Sequence, residues 1–249
     1  MTVEHSKIES ELFGVKFGRF EGKVEELLAQ AAIIQSNQFD FIRAKLLQPN
    51  HDLFAQLAKL NRPYHLLDIH RHYSLDTQQH PVALHANNPI ELKLCTAADK
   101  SMLYDLVINT FTDAPQGYFA HPVMEQYFPL DKQLHNFATY MTTVYDATNA
   151  NKKAWCIEAE GKIIGCCSTD FKGEEAYTTY IGLLPEFRKM SLYRQVINRM
   201  QVEIQRAGAR YITGSARLHN LASQATFEKE AEQYTHHDYV FMLMPVLVK

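Results

Sequence analysis

Hydrophobic positions along the chain recur with two periods, and the switches between them mark out the elements. Val24, Leu27, Leu28, Ala31 and Ala32 follow i, i+3, i+4, i+7, i+8 spacing, which predicts one amphipathic helix. Residues 16–21 and 39–46 on either side read as strands. Asn50 offers an N-cap to a helix carrying Leu53, Leu57 and Leu60; Asn61, Arg62 and Pro63 close it, and 64–73 returns as a strand. This alternation predicts an α/β unit with parallel crossovers. Residues 78–89, QQHPVALHANNP, are polar, Pro-punctuated and aperiodic, which predicts a linker between an N-terminal α/β domain (1–85) and a second domain (88–249). Past it the pattern gives a strand at 90–94, a helix at 97–111, an aromatic-rich loop at 112–129 and a helix at 130–146. A hairpin of 154–159 and 163–170 turns at Glu160, Gly161 and Lys162, and 176–184 is a strand. Leu192, Val196, Ile197, Met200 and Ile204 then share one side of a long helix, with Gly208 at its C′ position. A strand at 210–216, a helix at 221–231 and a strand at 239–248 complete the chain.

Composition narrows the function classes. Lys plus Arg is 25 against Asp plus Glu at 28, a net charge of −3, so the chain lacks the basic footprint of bulk nucleic-acid binding. The opening MTVEHSKIES has no apolar core of a signal peptide, and the apolar run at 241–248 is short and interrupted by Pro245. A soluble cytoplasmic protein with no membrane partner is therefore expected. Cys95, Cys156, Cys166 and Cys167 show no metal spacing and read as buried reduced thiols, the last two on opposite faces of a strand. Among the 12 histidines, His70 and His72 share a strand face, but no third ligand is set by spacing, so no metal is expected. His236 and His237 face opposite ways if they lie in the last hairpin, and either is able to line an acceptor site.

The richest chemistry lies at 181–205, IGLLPEFRKMSLYRQVINRMQVEIQ: a strand, a basic turn and a helix start. Free backbone N–H groups and the helix dipole favour an anion there, and Arg188 and Lys189 sit in the turn. Residues 181–197 resemble the VGVLPEYRGKGIGRALL pattern of the GNAT N-acyltransferases, and 220–229, NLASQATFEK, resembles that family's N-x-A-x-x-x-Y-E-K helix. Residues 8–20, IESELFGVKFGRF, are similar to the opening of the two-domain dTDP-fucosamine-type sugar-nucleotide N-acetyltransferases. The resemblance implies a GNAT-fold mixed central sheet flanked by helices, preceded by a smaller N-terminal α/β domain. It implies acyl transfer from acetyl-CoA or another acyl-CoA to the amine of an amino sugar, in that family a nucleotide-linked one, or a similar small molecule, with no metal and with a homodimer left open.

Site roles follow from the same resemblance. The amides of Leu183 and Leu184 would hold the acyl carbonyl and pantetheine, Arg188, Lys189, Ser191, Leu192 and Tyr193 the pyrophosphate, and Asn220 the cofactor as well as its own helix. Phe111, Tyr118, His121 and Tyr180 would line the acceptor site. Glu175, opening the strand before the turn, is the expected base, and Tyr234 the expected acid, because Phe227 stands where the family tyrosine would be. No cysteine is placed for covalent catalysis, so direct attack by the amine on the thioester is expected. Ser191 and Tyr193 replace family glycines, and Ala231 and Glu232 replace a Gly-Phe pair. These departures keep two alternatives open: a non-CoA donor, either an acyl-carrier protein or an aminoacyl-tRNA, or a GNAT-fold binding protein without turnover.

Overall fold

Strand-forming runs from both halves of the chain enter one sheet in the computed structural model, which describes residues 2–36, 38–111, 122–145, 149–188, 192–230 and 233–245. The strands are β1 (Glu4–His5), β2 (Phe17–Gly22), β3 (Phe41–Leu47), β4 (Tyr64–Asp76), β5 (Ile90–Leu94), β6 (Lys152–Ala159), β7 (Lys162–Lys172), β8 (Glu175–Leu183), β9 (Tyr211–Arg217) and β10 (Gln233–Leu243). Their order across the sheet is β1-β2-β3-β10-β4-β9-β8-β7-β6-β5. The parallel crossover expected early in the chain exists between β2 and β3. The next one does not place β4 beside β3, because β10 lies between them, antiparallel to both. The 85–88 boundary falls in the segment joining β4 to β5, and β4 itself sits between β10 and β9.

The helices are α1 (Lys7–Phe13), α2 (Val24–Leu28), α3 (Ala31–Gln35), α4 (Leu53–Ala58), α5 (Lys100–Asn109), α6 (Pro122–Tyr127), α7 (Leu130–Val144), α8 (Leu192–Arg206) and α9 (Leu221–Lys229). The single helix predicted over 24–32 is two short ones, broken where Gln30 donates to Leu27 in a tight turn. Asp52, not Asn50, occupies the cap of α4; Asn50 Oδ1 instead accepts from Asp52 N at 3.0 Å. Helix α6 lies in the segment read as loop, and β10 starts earlier and stops sooner than the predicted strand, at Leu243. Gly208 closes α8 at φ +91°, as its position predicted.

Alternation along the strands feeds a different core on each face. Val196 and Met200 of α8 pack in one core with Leu75, Ile157, Ile164, Cys167 and Ile212; Leu103 and Val107 of α5 and Ala138 and Met141 of α7 pack in another with Cys156 and Cys166. Cys166 and Cys167 thus face opposite sides, as expected, and all four cysteines are buried thiols. Cys95 Sγ and Cys156 Sγ are 3.4 Å apart, a contact and not a bond.

The predicted linker is fastened along α8. Asn198 Oδ1 accepts from His85 N at 2.9 Å while Nδ2 donates to Ala83 O, and Gln205 Oε1 accepts from Val82 N. A second fastening comes from Arg62, which the sequence suggested only as a helix terminator. Its guanidinium is buried and donates to the carbonyls of Ile34, Phe39, Asp40 and Met244 at 2.6–2.7 Å, tying the N-terminal segments to the end of β10. Arg62→Ala strands these acceptors and should lower stability by about 3 kcal/mol or more in urea denaturation. Arg62→Lys keeps the charge but not the fork and should recover only part of the loss.

Candidate functional site

The hydrogen-bond ladder between the parallel strands β8 and β9 runs from Glu175↔Tyr211 to Thr178↔Gly214 and ends there. Just beyond, β8 bulges: Ser168 pairs with Tyr180 and Thr169 with Thr178, leaving Thr179 as the extra residue. Thr179 Oγ1 is held by Ser168 Oγ at 2.6 Å and receives the Tyr145 hydroxyl at 3.0 Å. From Thr179 on, β8 and β9 diverge, and among the described residues the β9-facing edge of β8 has no strand partner there. Leu184 N donates to Ile164 O on the β7 side, so alternation turns the N–H groups of Leu183 and Ile181 toward the gap. Of the two amides implied by resemblance, Leu183 offers its N–H to the gap and Leu184 does not.

On the α8 side, one apolar cluster bridges the diverging strands: Ile181 of β8, Ala216 of β9, Ile197 of α8, Phe227 of α9 and Tyr73 of β4. Tyr193 packs into it and its phenol oxygen accepts from Ser223 Oγ at 3.3 Å. Phe227 is buried with its ring 5.2 Å from that of Tyr73. Leu192 opens α8 and belongs to the core beneath it. Arg188 turns inward: Nε donates to Leu183 O at 3.1 Å and the guanidinium reaches Thr110 O, tying the end of β8 to the end of α5. Asn220 caps α9, its Oδ1 accepting from Ser223 N at 3.2 Å. Lys189, Ser191, Tyr118 and His121 lie outside the described residues.

Other expected site residues stand apart from the gap. Glu175 is exposed at the paired end of the β8–β9 ladder, four residues and about 13 Å of strand before Thr179. Tyr234 is exposed at the start of β10, its hydroxyl 2.9 Å from His237 Nδ1 and its ring under the Arg71 guanidinium. Phe111 and Tyr180 are buried together, their ring centroids 5.7 Å apart, and the Tyr180 phenol bonds Thr110 Oγ1. A Cβ at Gly182 would collide with that phenol, so any larger residue there has to displace the Tyr180 side chain.

The face of the sheet opposite α8 carries a polar centre that sequence spacing did not reveal. At the first residue past the ladder, Ser215 Oγ meets Tyr177 Oη at 2.6 Å. Ser215 pairs across strands with His72, whose ring lies 6.1 Å from Tyr177. His72 Nε2 is 2.8 Å from Asp238 Oδ2, and His236 stacks on His72 with centroids 4.5 Å apart and planes 5° from parallel. Lys45 Nζ lies 3.4 Å from Asp238 and 3.0 Å from Glu21. Asp238 is 1% exposed. Burial raises its pKa, but the contacts with His72 and Lys45 outweigh this and hold it below the usual carboxylate value. Burial, then the neighbouring His72, lowers that of His236, which favours neutral imidazole near pH 7. Among the described residues, His72, His236 and Asp238 are the group close enough to hold a metal ion. The Nε2 atoms of His72 and His236 lie 2.8 and 3.6 Å from the two oxygens of the Asp238 carboxylate, and Lys45 Nζ stands 3.4 Å from it.

Because the Asp238 pKa is lower folded than unfolded, its stabilising contribution is complete above the unfolded value and lost as pH falls through the folded one. Asp238→Asn should therefore be less stable than wild type at pH 7. It should also lose less further stability between about pH 5 and 3. Urea denaturation across that range checks both.

The model of the Acetyltransferase (GNAT) family matches residues 109–231, from the end of α5 to just past α9. No curated protein matches the sequence. Three solved structures are similar over most of their length. One is a functionally unknown conserved protein from Staphylococcus epidermidis (TM-score 0.57, 12% identity, 93% of this chain and 85% of that one). A putative acetyltransferase of the GNAT family from Novosphingobium aromaticivorans gives 0.56 at 13%, covering 87% and 80%. A GCN5-related N-acetyltransferase from Kribbella flavida gives 0.56 at 10%, covering 92% and 82%. At such identities the likeness concerns the fold. No described helix is long and apolar enough to cross a membrane. The protein has the GNAT fold, its segment 109–231 matches the GNAT acetyltransferase family model, and it is a transferase by class.

Proposed function

We propose that the protein transfers an acyl group from an acyl-CoA to the amine of a small molecule, with the thioester lying in the gap between β8 and β9. The observation that carries this reading is the end of the ladder at Thr178↔Gly214, which frees the Ile181 and Leu183 N–H groups. Fixed amides aimed at a thioester carbonyl stabilise the oxyanion that forms when an amine attacks. A donor laid along the α8 side leaves the opposite face for the acceptor, where Tyr177, Ser215, His72 and Asp238 meet. An acceptor amine arrives as ammonium, and His72, oriented by Asp238 and beside His236, is placed to take its proton; Glu175 is too far along the strand. The amino-sugar acceptor implied by resemblance belongs to this reading as one member of the amine class. Direct attack is retained, since the four thiols are buried in the cores.

A second reading, a donor other than free acyl-CoA, is favoured by one observation: Tyr193 and Phe227 pack into the α8 side of the gap where a pantetheine arm would pass. The two readings separate by calorimetry with acetyl-CoA. Binding that tightens in Tyr193→Ala supports CoA in the gap; no binding in either protein, with acylation supported by a pantetheine-bearing carrier protein, supports the second.

The base assignment has its own test. General-base catalysis is worth about 10²- to 10⁴-fold, so His72→Gln should reduce kcat by at least about 100-fold at pH 7. Glu175→Gln should change it by less than about threefold, a margin far below that range. The reverse order would return the base to Glu175.

A further inference from the structure

Strand pairing sets His72 opposite an irregularity in β10. Tyr234 pairs with Tyr73 of β4 and His237 with Arg71, so Thr235 and His236 together stand against His72. This bulge lays the His236 ring on that of His72, and His236 and Asp238, two residues apart, bring their donor atoms to the same place. Spacing along β4 offered His72 only His70 as a neighbour; β10 supplies two further donors.

An ordinary buried ion pair is satisfied by hydrogen bonds, and this one is not. His72 is 6% exposed and Asp238 1%. Their facing atoms, Nε2 and Oδ2, stand 2.8 Å apart, yet among the described residues neither has a hydrogen-bond partner. The distance suits a hydrogen bond, so it is the angle that fails: the two atoms approach without pointing at each other. Donors around one metal ion stand in that relation. Zinc–ligand lengths of 2.0–2.2 Å in a tetrahedron separate neighbouring N and O donors by about 3.3 Å. The two imidazole–carboxylate separations, 2.8 and 3.6 Å, bracket that value, and all three donors lie within 4.8 Å of one another. The rings are 5° from parallel, so one ion cannot lie in both planes as they stand; the His236 side chain, 31% exposed, is the one with room to turn. Lys45 Nζ is 3.4 Å from Asp238 but 3.0 Å from Glu21, so it keeps a carboxylate when Asp238 takes an ion.

We propose that His72, His236 and Asp238 form a binding site for a divalent metal ion of the zinc class. Two imidazoles and one carboxylate suit Zn²⁺ or Co²⁺; Mg²⁺ takes oxygen ligands and keeps its waters. Three protein donors leave a fourth position for water. The site goes beyond the acyl-transfer reading and rests on side-chain geometry alone. Under that reading the ion is an inhibitor: once it holds Nε2 of His72, the other ring nitrogen carries the imidazole proton, and no lone pair is left for the acceptor's.

Equilibrium dialysis of the chelator-stripped full chain should retain one Zn²⁺ per chain and no Mg²⁺ at the same concentration, and Co²⁺ should add visible d–d absorption. Loss of even an outer hydrogen-bond partner of a metal site costs about 10- to 100-fold in affinity. His236→Gln, at a partly exposed position, should therefore weaken Zn²⁺ by at least about tenfold and remove the Co²⁺ bands. His51→Gln, which removes an imidazole exposed on the surface beside Asp52, should change neither. Failure to retain Zn²⁺, retention of Mg²⁺ as tight as that of Zn²⁺, or an affinity unchanged in His236→Gln overturns the site. Where the metal-free chain turns over, filling the site with Zn²⁺ should stop it; turnover that persists refutes His72 as the base and leaves the site standing.

Discussion

The point where β8 and β9 stop pairing governs the rest of this structure. A parallel pair cannot diverge without leaving N–H and C=O groups unpaired, and unpaired groups inside a fold are costly unless something else meets them. Here the divergence is built in by the Thr179 bulge, which Ser168 and Tyr145 hold from the α7 side. Arg188 fixes the far end of β8 against α5, so the strand is anchored at both limits of its unpaired stretch. The same anchoring separates the two faces of the sheet into an apolar side beneath α8 and a polar side that runs to Lys45 and Arg43.

The polar side depends on β10, and β10 depends on closure over the whole chain length. Asp238 comes from the last strand, His72 from β4, Lys45 from β3 and Tyr177 from β8. They meet because β10 inserts between β3 and β4, with Arg62 holding Met244 just beyond its end. Stability and the polar centre are therefore coupled: loosening the end of β10 would displace the carboxylate beside His72.

Local signals in the sequence were sufficient for much of the fold. The spacing of Leu192, Val196, Ile197, Met200 and Ile204 with Gly208 behind it defines α8, and Asn220 caps α9 as its position before Leu221 suggests. The stretch 24–32 misled because a helical repeat says nothing of a tight turn at Gln30. Non-local pairing was out of reach. Nothing near His72 indicates that Asp238, 166 positions later, lies 2.8 Å away, and His70 offered itself as the obvious neighbour only because strand alternation is visible in sequence. For the candidate site, the strand–turn–helix at 181–205 located the gap. Which residues face it depends on the bulge at Thr179, which shifts alternation and buries Tyr180, and on the ladder's length, which leaves Glu175 at the closed end. Tyr193, too bulky for a phosphate turn, rotates into the apolar cluster with Phe227.

Hydrogen exchange with and without acetyl-CoA tests the central claim most directly, because it reads the amides themselves. Donor in the gap should slow exchange at Ile181 and Leu183, whose N–H groups face it, and leave the paired stretch 175–178 unchanged. Protection confined to other segments, or none at 181–183 under saturating acetyl-CoA, would contradict the account.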